Sequence, residues 1–470
     1  MISTRSRRGG APAGVSFTTA IRRGLAPDGG LYLPSRLPGV TAVTLRTLRE
    51  AAVDAPGSPE ALALTARHIL EPFLDDPADA VLLERLPELC RHAFEAPIPL
   101  RVLDERTSLL ELHHGPTAAF KDMAARFLAG ALSAVGMRGH VLVATSGDTG
   151  SAVAAAFEGR PGFRVSVLFP DRGVSDRQAH LLSCFGGGDA DDAGGGSGNV
   201  GSGNVRSYRV DGTFDDAQAM VKAALADPEL VREHGLTSAN SISLGRLLPQ
   251  ATWFAHSALA REGETKGAFP GFVIPGGNFG HGLAALWARH MGFPLGPIHL
   301  ATNRNRALVD WFDHGRADPR PSVRTPANAM DVGVPSNLER LRFQVEGDPA
   351  FARDVTASAV GDREILSAVG RAPDRWGVTV CPHTACALHA LEALRAQGGD
   401  GRPWIVLATA HPAKFPEVVE PRIGAEVPLP PALARLLARP ARAHDIGADP
   451  EALKDEVRNG AETRRSPPRS

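Results

Sequence analysis

From about residue 100 the chain settles into one rhythm: a short β-rich run, a glycine turn, a helical run. HVLVATS (140–146) leads into GSAVAAAFEG (150–159), and RVSVLFP follows. VRSYRVDG then precedes FDDAQAMVKAALAD, GFVIPGG precedes HGLAALWARHMG, and GVTVCPH precedes TACALHALEALRAQ. Strand, tight turn and helix in alternation predict an α/β fold of parallel sheets with helices on both faces. Ligands on such sheets sit beyond the carboxyl ends of the strands, so the loops there are where chemistry is expected. The earlier chain has another texture. Residues 40 to 95 are rich in Ala and Leu at helical spacing and predict an N-terminal helical region.

At 470 residues the chain is long enough for roughly two to four domains. Residues 1–95 read as an accessory region, 96–135 with 250–430 as a large α/β domain, 136–249 as a small α/β domain, and 431–470 as a polar, frayed tail. The run 186–204, GGGDADDAGGGSGNVGSGN, has almost no large apolar side chain to repay its ordering and predicts a flexible surface insertion. A hydrophobic content of 43% with 22% charged residues and no bilayer-length apolar run excludes a membrane protein. A net charge of -1 with no basic stripe excludes a nucleic-acid module. Four cysteines without a CxxC pair point to reduced thiols in the cytoplasm. The start, MISTRSRRGGAPAGVSF, is arginine-rich and free of acid like a transit peptide, yet it lacks the apolar centre of a secretory signal; a plain start to the mature fold is expected. No HExxH and no Cys/His spacing of a metal site occurs, so the histidines are expected to be structural or exposed and no metal is expected.

Lysine occurs at only five positions, 121, 222, 266, 414 and 454, in a chain that otherwise uses arginine. An amine can lose its proton and act as nucleophile or base, which a guanidinium cannot. In HGPTAAFKD (114–122), Thr117 reads as an N-cap, which places Lys121 near the positive end of the following helix. That field and partial burial beside Phe120 predict a lowered pKa. In GFVIPGGNFGHGLAALW (271–287), four glycines at a strand-to-helix turn free backbone amides for a phosphate. The spacing is neither a dinucleotide fingerprint nor a nucleotide P-loop. In HVLVATSGDTGSA, Ser146, Thr149 and Ser151 surround Gly147 and Gly150 at another such turn, suited to a carboxylate or to ordinary capping; Asp148 there must turn away or meet an ammonium. A phosphate cradle, a carboxylate cradle and a depressed lysine together suit pyridoxal phosphate.

HGPTAAFKD, ATSGDTGSA, DGTFDDAQ, PGGNFGHG, AMDVGVPSNLERL and ATAHPAKFPE, in that order, with GLAPDGGLYLP near the start, resemble the threonine synthases of the bacterial and fungal type. The likeness runs from about residue 16 to 425. It implies two parallel-sheet α/β domains of the fold type II pyridoxal phosphate enzymes and conversion of O-phospho-L-homoserine and water into L-threonine and phosphate. It implies that Lys121 bonds to the cofactor and moves protons, that Gly277, Asn278, Phe279, Gly280 and His281 hold its phosphate, and that Thr409 faces its ring nitrogen. It implies further that Ser146, Gly147, Asp148 and Thr149 bind the substrate carboxylate, with Arg246 and Lys414 as candidates for the substrate phosphate. The enzyme is then a cytoplasmic lyase of threonine biosynthesis, monomer or homodimer, whose domains close to exclude water.

Four positions depart from the family pattern: Ser6 stands where glycine is usual, Ser243 where asparagine is, Gly276 where serine or threonine is, and His281 where a smaller polar residue is. They keep open an alternative, a paralogue performing elimination or γ-replacement on another phosphorylated or phosphonate amino acid. A catalytically silent scaffold is the second alternative.

Overall fold

The computed structural model describes residues 1–6, 14–186, 203–262, 268–398 and 401–462. Most of the glycine-rich run, 187–202, lies outside the described residues. Its last residue is part of the fold: Asn204 is buried, and its amide bonds the carbonyls of Phe157 and Phe163.

The strands are β1 (Ile2–Ser3), β2 (Tyr32–Leu33), β3 (Leu100–Asp104), β4 (Thr107–Glu111), β5 (Gly139–Ala144), β6 (Phe163–Pro170), β7 (Val205–Asp211), β8 (Leu236–Ser238), β9 (Gly271–Pro275), β10 (Ile298–Thr302), β11 (Val355–Ala359), β12 (Trp404–Ala408) and β13 (His444–Gly447). They form a six-stranded sheet ordered β11-β10-β9-β12-β4-β3, a five-stranded sheet ordered β13-β7-β6-β5-β8, and the antiparallel pair β1-β2. The five-stranded sheet is parallel throughout, and only β3 runs against its neighbour in the larger one. Central strands such as β9 and β10 are buried along their whole length, as strands covered on both faces must be, and their runs FVI and IHLA are accordingly unbroken rather than alternating.

The N-terminal helices Ala42–Asp54, Pro59–Leu70 and Ala80–Ala93 begin as their sequence dictates: the Thr41 and Ser58 hydroxyls accept the amides of Thr44 and Ala61, and Pro59 starts the second. Their apolar faces pack on the helices Ala251–Glu262 and Lys121–Ala134 of the larger unit. Among the described residues no helix is long and apolar enough to cross a membrane.

Two readings of the sequence are corrected here. GVTV before Cys381 forms no strand, although Val378 and Val380 are buried; the segment meets the edge strand β3 through the Arg101 side chain, which donates to the Gly377 carbonyl, and pairs with no strand. The tail is not frayed over its described residues, which end at 462. Residues 444–447 pair in parallel with β7, and the helix Pro450–Glu462 buries Leu453 and Val457 against the Leu142, Leu168 and Tyr208 cluster. Two apolar side chains four residues apart were the whole signal for that docking.

Candidate active site

Lys121 is the first residue of the helix Lys121–Ala134, and Phe120 rather than Thr117 precedes it. Thr117 does not cap the helix because its amide and hydroxyl both bond the Asp122 carboxylate, at 2.9 and 2.5 Å. The segment before Lys121 is laid along the end of β12: the Phe120 amide bonds the Thr409 carbonyl and the His411 amide bonds that of Ala118. Ala118 takes a left-handed φ of 55° to make this turn.

Burial pushes the Lys121 ammonium down to about 8; Asp148 acts against that shift, and Lys414 and Arg246 add to it. Its Nζ lies 3.8 Å from Asp148 Oδ2, and Asp148 Oδ1 lies 2.6 Å from Lys414 Nζ, which also donates to the Thr117 carbonyl at 3.0 Å. Burial pushes the Asp148 carboxyl up, but the two ammonium groups overcome it and hold it well below the usual carboxylate range. Asp148 is therefore a fixed anion between two lysines.

Lys121, Ser146, Asp148, Thr149, Arg246, Gly277, Asn278, Phe279, Gly280, His281 and Thr409 line one cleft. Gly147 and Lys414 do not. Gly147, at φ 149°, makes the turn itself, and a Cβ on it would stand 2.5 Å from Gln178 Nε2. Lys414 was expected to reach substrate phosphate; it is wholly buried behind Asp148, its charge already committed.

The turn after β9 is built to admit a small anion. Phe279 adopts a left-handed φ of 63°, and the helix Gly280–His290 begins with no side chain capping its amides. A Cβ on Gly277 would meet Met330 Cα at 2.9 Å, so the backbone approach leaves no room for a side chain. The Asn278 side chain spans the loop, donating to Ser241 Oγ at 2.6 Å and accepting from the Ser336 amide. His281 lies flat against Phe120, centroids 4.4 Å apart, and its Nε2 accepts the Trp253 indole N–H at 2.8 Å. Burial pushes its pKa down to about 3, so the ring is neutral and its proton sits on Nδ1.

Arg246 is buried, with one nitrogen on the Ala239 carbonyl and burial lowering its pKa to about 10; its Nε has no partner. An unpartnered guanidinium nitrogen in such a wall is the donor type that a phosphate dianion satisfies. Asn240, Ser241, Gln250 and His383 complete the cleft, and the sequence reading missed them. Asn240 and Ser241 open the loop 240–246, where proximity to Arg246 was the available signal. His383 closes GVTVCPH, a run read as strand and turn, and was passed over with the other histidines as structural. Arg340 clamps the same loop, donating to the carbonyls of Ile242 and Ser241 while holding that of Tyr32.

Comparison with known proteins places this geometry. Residues 107–410 match the family model described as pyridoxal-phosphate dependent enzyme, residues 1–94 that of the threonine synthase N terminus, and 384–457 that of threonine synthase, C-terminal. Threonine synthase of Escherichia coli (strain K12) is 34% identical over 95% of this chain and 97% of its own length; that of Serratia marcescens is 35% identical over 92% and 94%. The crystal structure of the Escherichia coli threonine synthase superposes with a TM-score of 0.83 over 95% of this chain and 97% of that one. A pyridoxal-phosphate-bound threonine synthase from Brucella melitensis, 31% identical, gives 0.80 over 97% and 98%.

Proposed function

The chain belongs to the threonine synthase family of pyridoxal-phosphate-dependent enzymes, and from that premise we propose how its own residues carry the reaction. The enzyme converts O-phospho-L-homoserine and water into L-threonine and phosphate, a lyase step of threonine biosynthesis. Pyridoxal phosphate, when bound, supplies an aldehyde for an amine and an electron sink that acidifies the carbons beside it. The observation that carries the assignment of roles is the Lys121 amine, buried and lowered to about 8 in the cleft that holds the glycine cradle.

The residues fit the cofactor. Lys121 is the amine for the aldehyde, the amides of Gly277 to His281 receive the phosphate, and the Thr409 hydroxyl suits the ring nitrogen. A neutral hydroxyl there does not force a proton onto the ring as a carboxylate would. Phosphate leaves from the γ-carbon and water arrives at the β-carbon, so protons must move at the α- and β-carbons between. An amine near its pKa at working pH both takes and returns them, and Lys121 is the cleft's amine. Ser146 and Thr149, at the start of the helix Asp148–Phe157, offer hydroxyls and amides to the substrate carboxylate. Arg246, with Asn240 and Ser241 beside it, faces the leaving phosphate. Lys414 neutralises Asp148 so that this carboxylate does not repel either anion. Buried free thiols at Cys90, Cys184, Cys381 and Cys386 suit a reducing cytoplasm, where we place the enzyme.

Purified protein given O-phosphohomoserine is expected to yield threonine and phosphate in equal amounts; phosphate without threonine would give the reaction to the elimination paralogue instead. In the cofactor-free protein, the rate of pyridoxal phosphate capture should rise about tenfold per pH unit up to about 8 and level off above it, because only the uncharged amine condenses. Stopped-flow growth of visible absorption reads this, and a flat profile would remove the neutral amine from its role. Gly277→Ala should weaken cofactor retention by about tenfold or more, given about 1–3 kcal/mol of overpacking against Met330. Titration of the cofactor-free variant checks it.

A further inference from the structure

Away from the cleft, three metal-ligating side chains converge at the end of β4. Glu111 closes that strand, and His113 and His114 follow in the loop leading to Lys121. One donor atom from each lies within 4.8 Å of the other two. Glu111 Oε2 and His114 Nε2 are 2.8 Å apart, a hydrogen-bond distance that an ion would open to the roughly 3.4 Å between two ligands of a tetrahedral shell with bonds of about 2.0–2.2 Å. A carboxylate–imidazole hydrogen bond alone would explain that pair. It does not explain His113, whose Nδ1 is shut off from solvent with no hydrogen-bond partner, a costly state for a histidine that merely packs. His411 stands edge-on to His113, centroids 5.1 Å apart, its own Nδ1 taken by the Ala413 amide.

E-L-H-H matches no ligand spacing, and the cluster depends on how the chain turns out of β4.

We propose that Glu111, His113 and His114 bind one divalent transition-metal ion of the zinc, cobalt or nickel class, which pins the turn out of β4 that leads to Lys121. One carboxylate and two imidazoles favour such borderline cations over magnesium or calcium, which prefer all-oxygen shells. Three protein donors leave water to complete the shell. The segment the ion would fasten already runs along β12: Leu112 bonds the Ala408 carbonyl, Phe120 that of Thr409, and the His411 amide that of Ala118. The ion is thus a brace for the lysine-bearing loop and takes no part in the chemistry.

The test is calorimetric titration of Zn²⁺ into chelator-treated full-length holoenzyme in phosphate-free buffer, beside Glu111→Gln, His114→Ala and, as a control on the surface, His314→Ala. One equivalent is expected in the wild type and the control, with affinity reduced about tenfold or more in each ligand variant, since even outer-shell losses at metal sites cost about 10–100-fold. Glu111→Gln keeps shape and His114 is half exposed, so both should fold, and circular dichroism verifies it. No stoichiometric binding by the wild type, or binding undiminished in either variant, is an adventitious ion only and overturns the proposal.

Discussion

Lys121→Ala is expected to lower threonine formation by about 1000-fold or more and to leave no cofactor attached to the chain after borohydride treatment. The amine is both the covalent anchor and the proton carrier, and general acid–base catalysis alone contributes about 10²–10⁴-fold. Nothing nearby replaces it. Lys414, the other buried lysine among the described residues, holds Asp148 at 2.6 Å and the Thr117 carbonyl at 3.0 Å on the far side of the carboxylate. Turnover by coupled phosphate release, with mass spectrometry of the reduced protein, measures both effects. Activity within tenfold of the wild type, or label still attached, would show that another residue carries the chemistry.

Asp148→Asn should destabilise the cofactor-free protein by about 3–5 kcal/mol, because it strands the Lys414 ammonium, which is 0% exposed, without its counter-ion. Denaturant unfolding measures this. The double variant Asp148→Asn with Lys414→Met should recover much of the loss, since removing both charges removes the stranded one. The single variant carries a second signature. Asp148 raises the Lys121 pKa, so without it the amine loses its proton more readily. The pH profile of cofactor capture should therefore move to lower pH in Asp148→Asn. An unmoved profile would mean that the 3.8 Å contact between Lys121 and Asp148 has no electrostatic weight.

What the sequence disclosed and what it concealed divide by range. β5, β6, β7 and β9 were legible because each is a β-rich run closed by a turn, and Lys121 because its neighbours HGPTAAF are contiguous with it. The glycine turn at 276–282 was legible for the same local reason. Lys414 was misplaced because its partner carbonyl belongs to Thr117, 297 positions earlier, and no local pattern tells an ammonium whether it meets an internal carboxylate or a ligand. β13 was missed because HDIG is four residues with mixed polarity, a strand only by virtue of the free edge that β7 offers. GVTV shows the converse, a good local strand signal that pairs with no strand. Thr117 was read as a cap because Ser and Thr usually are; Asp122 outbid the helix for its hydroxyl.

The strand order has a consequence for how this protein comes into being. β4 lies beside β12 in the larger sheet, and β7 beside β13 in the smaller, so each sheet joins an earlier strand to one made more than two hundred residues later. The lysine, at position 121, leaves the ribosome long before Thr409, whose carbonyl steadies the residue next to it. The larger sheet lacks a strand until 404–408 are made, and the smaller until 444–447 are. Vitamin loading should therefore wait for β12, and nascent chains stalled short of residue 404 should be unable to retain it.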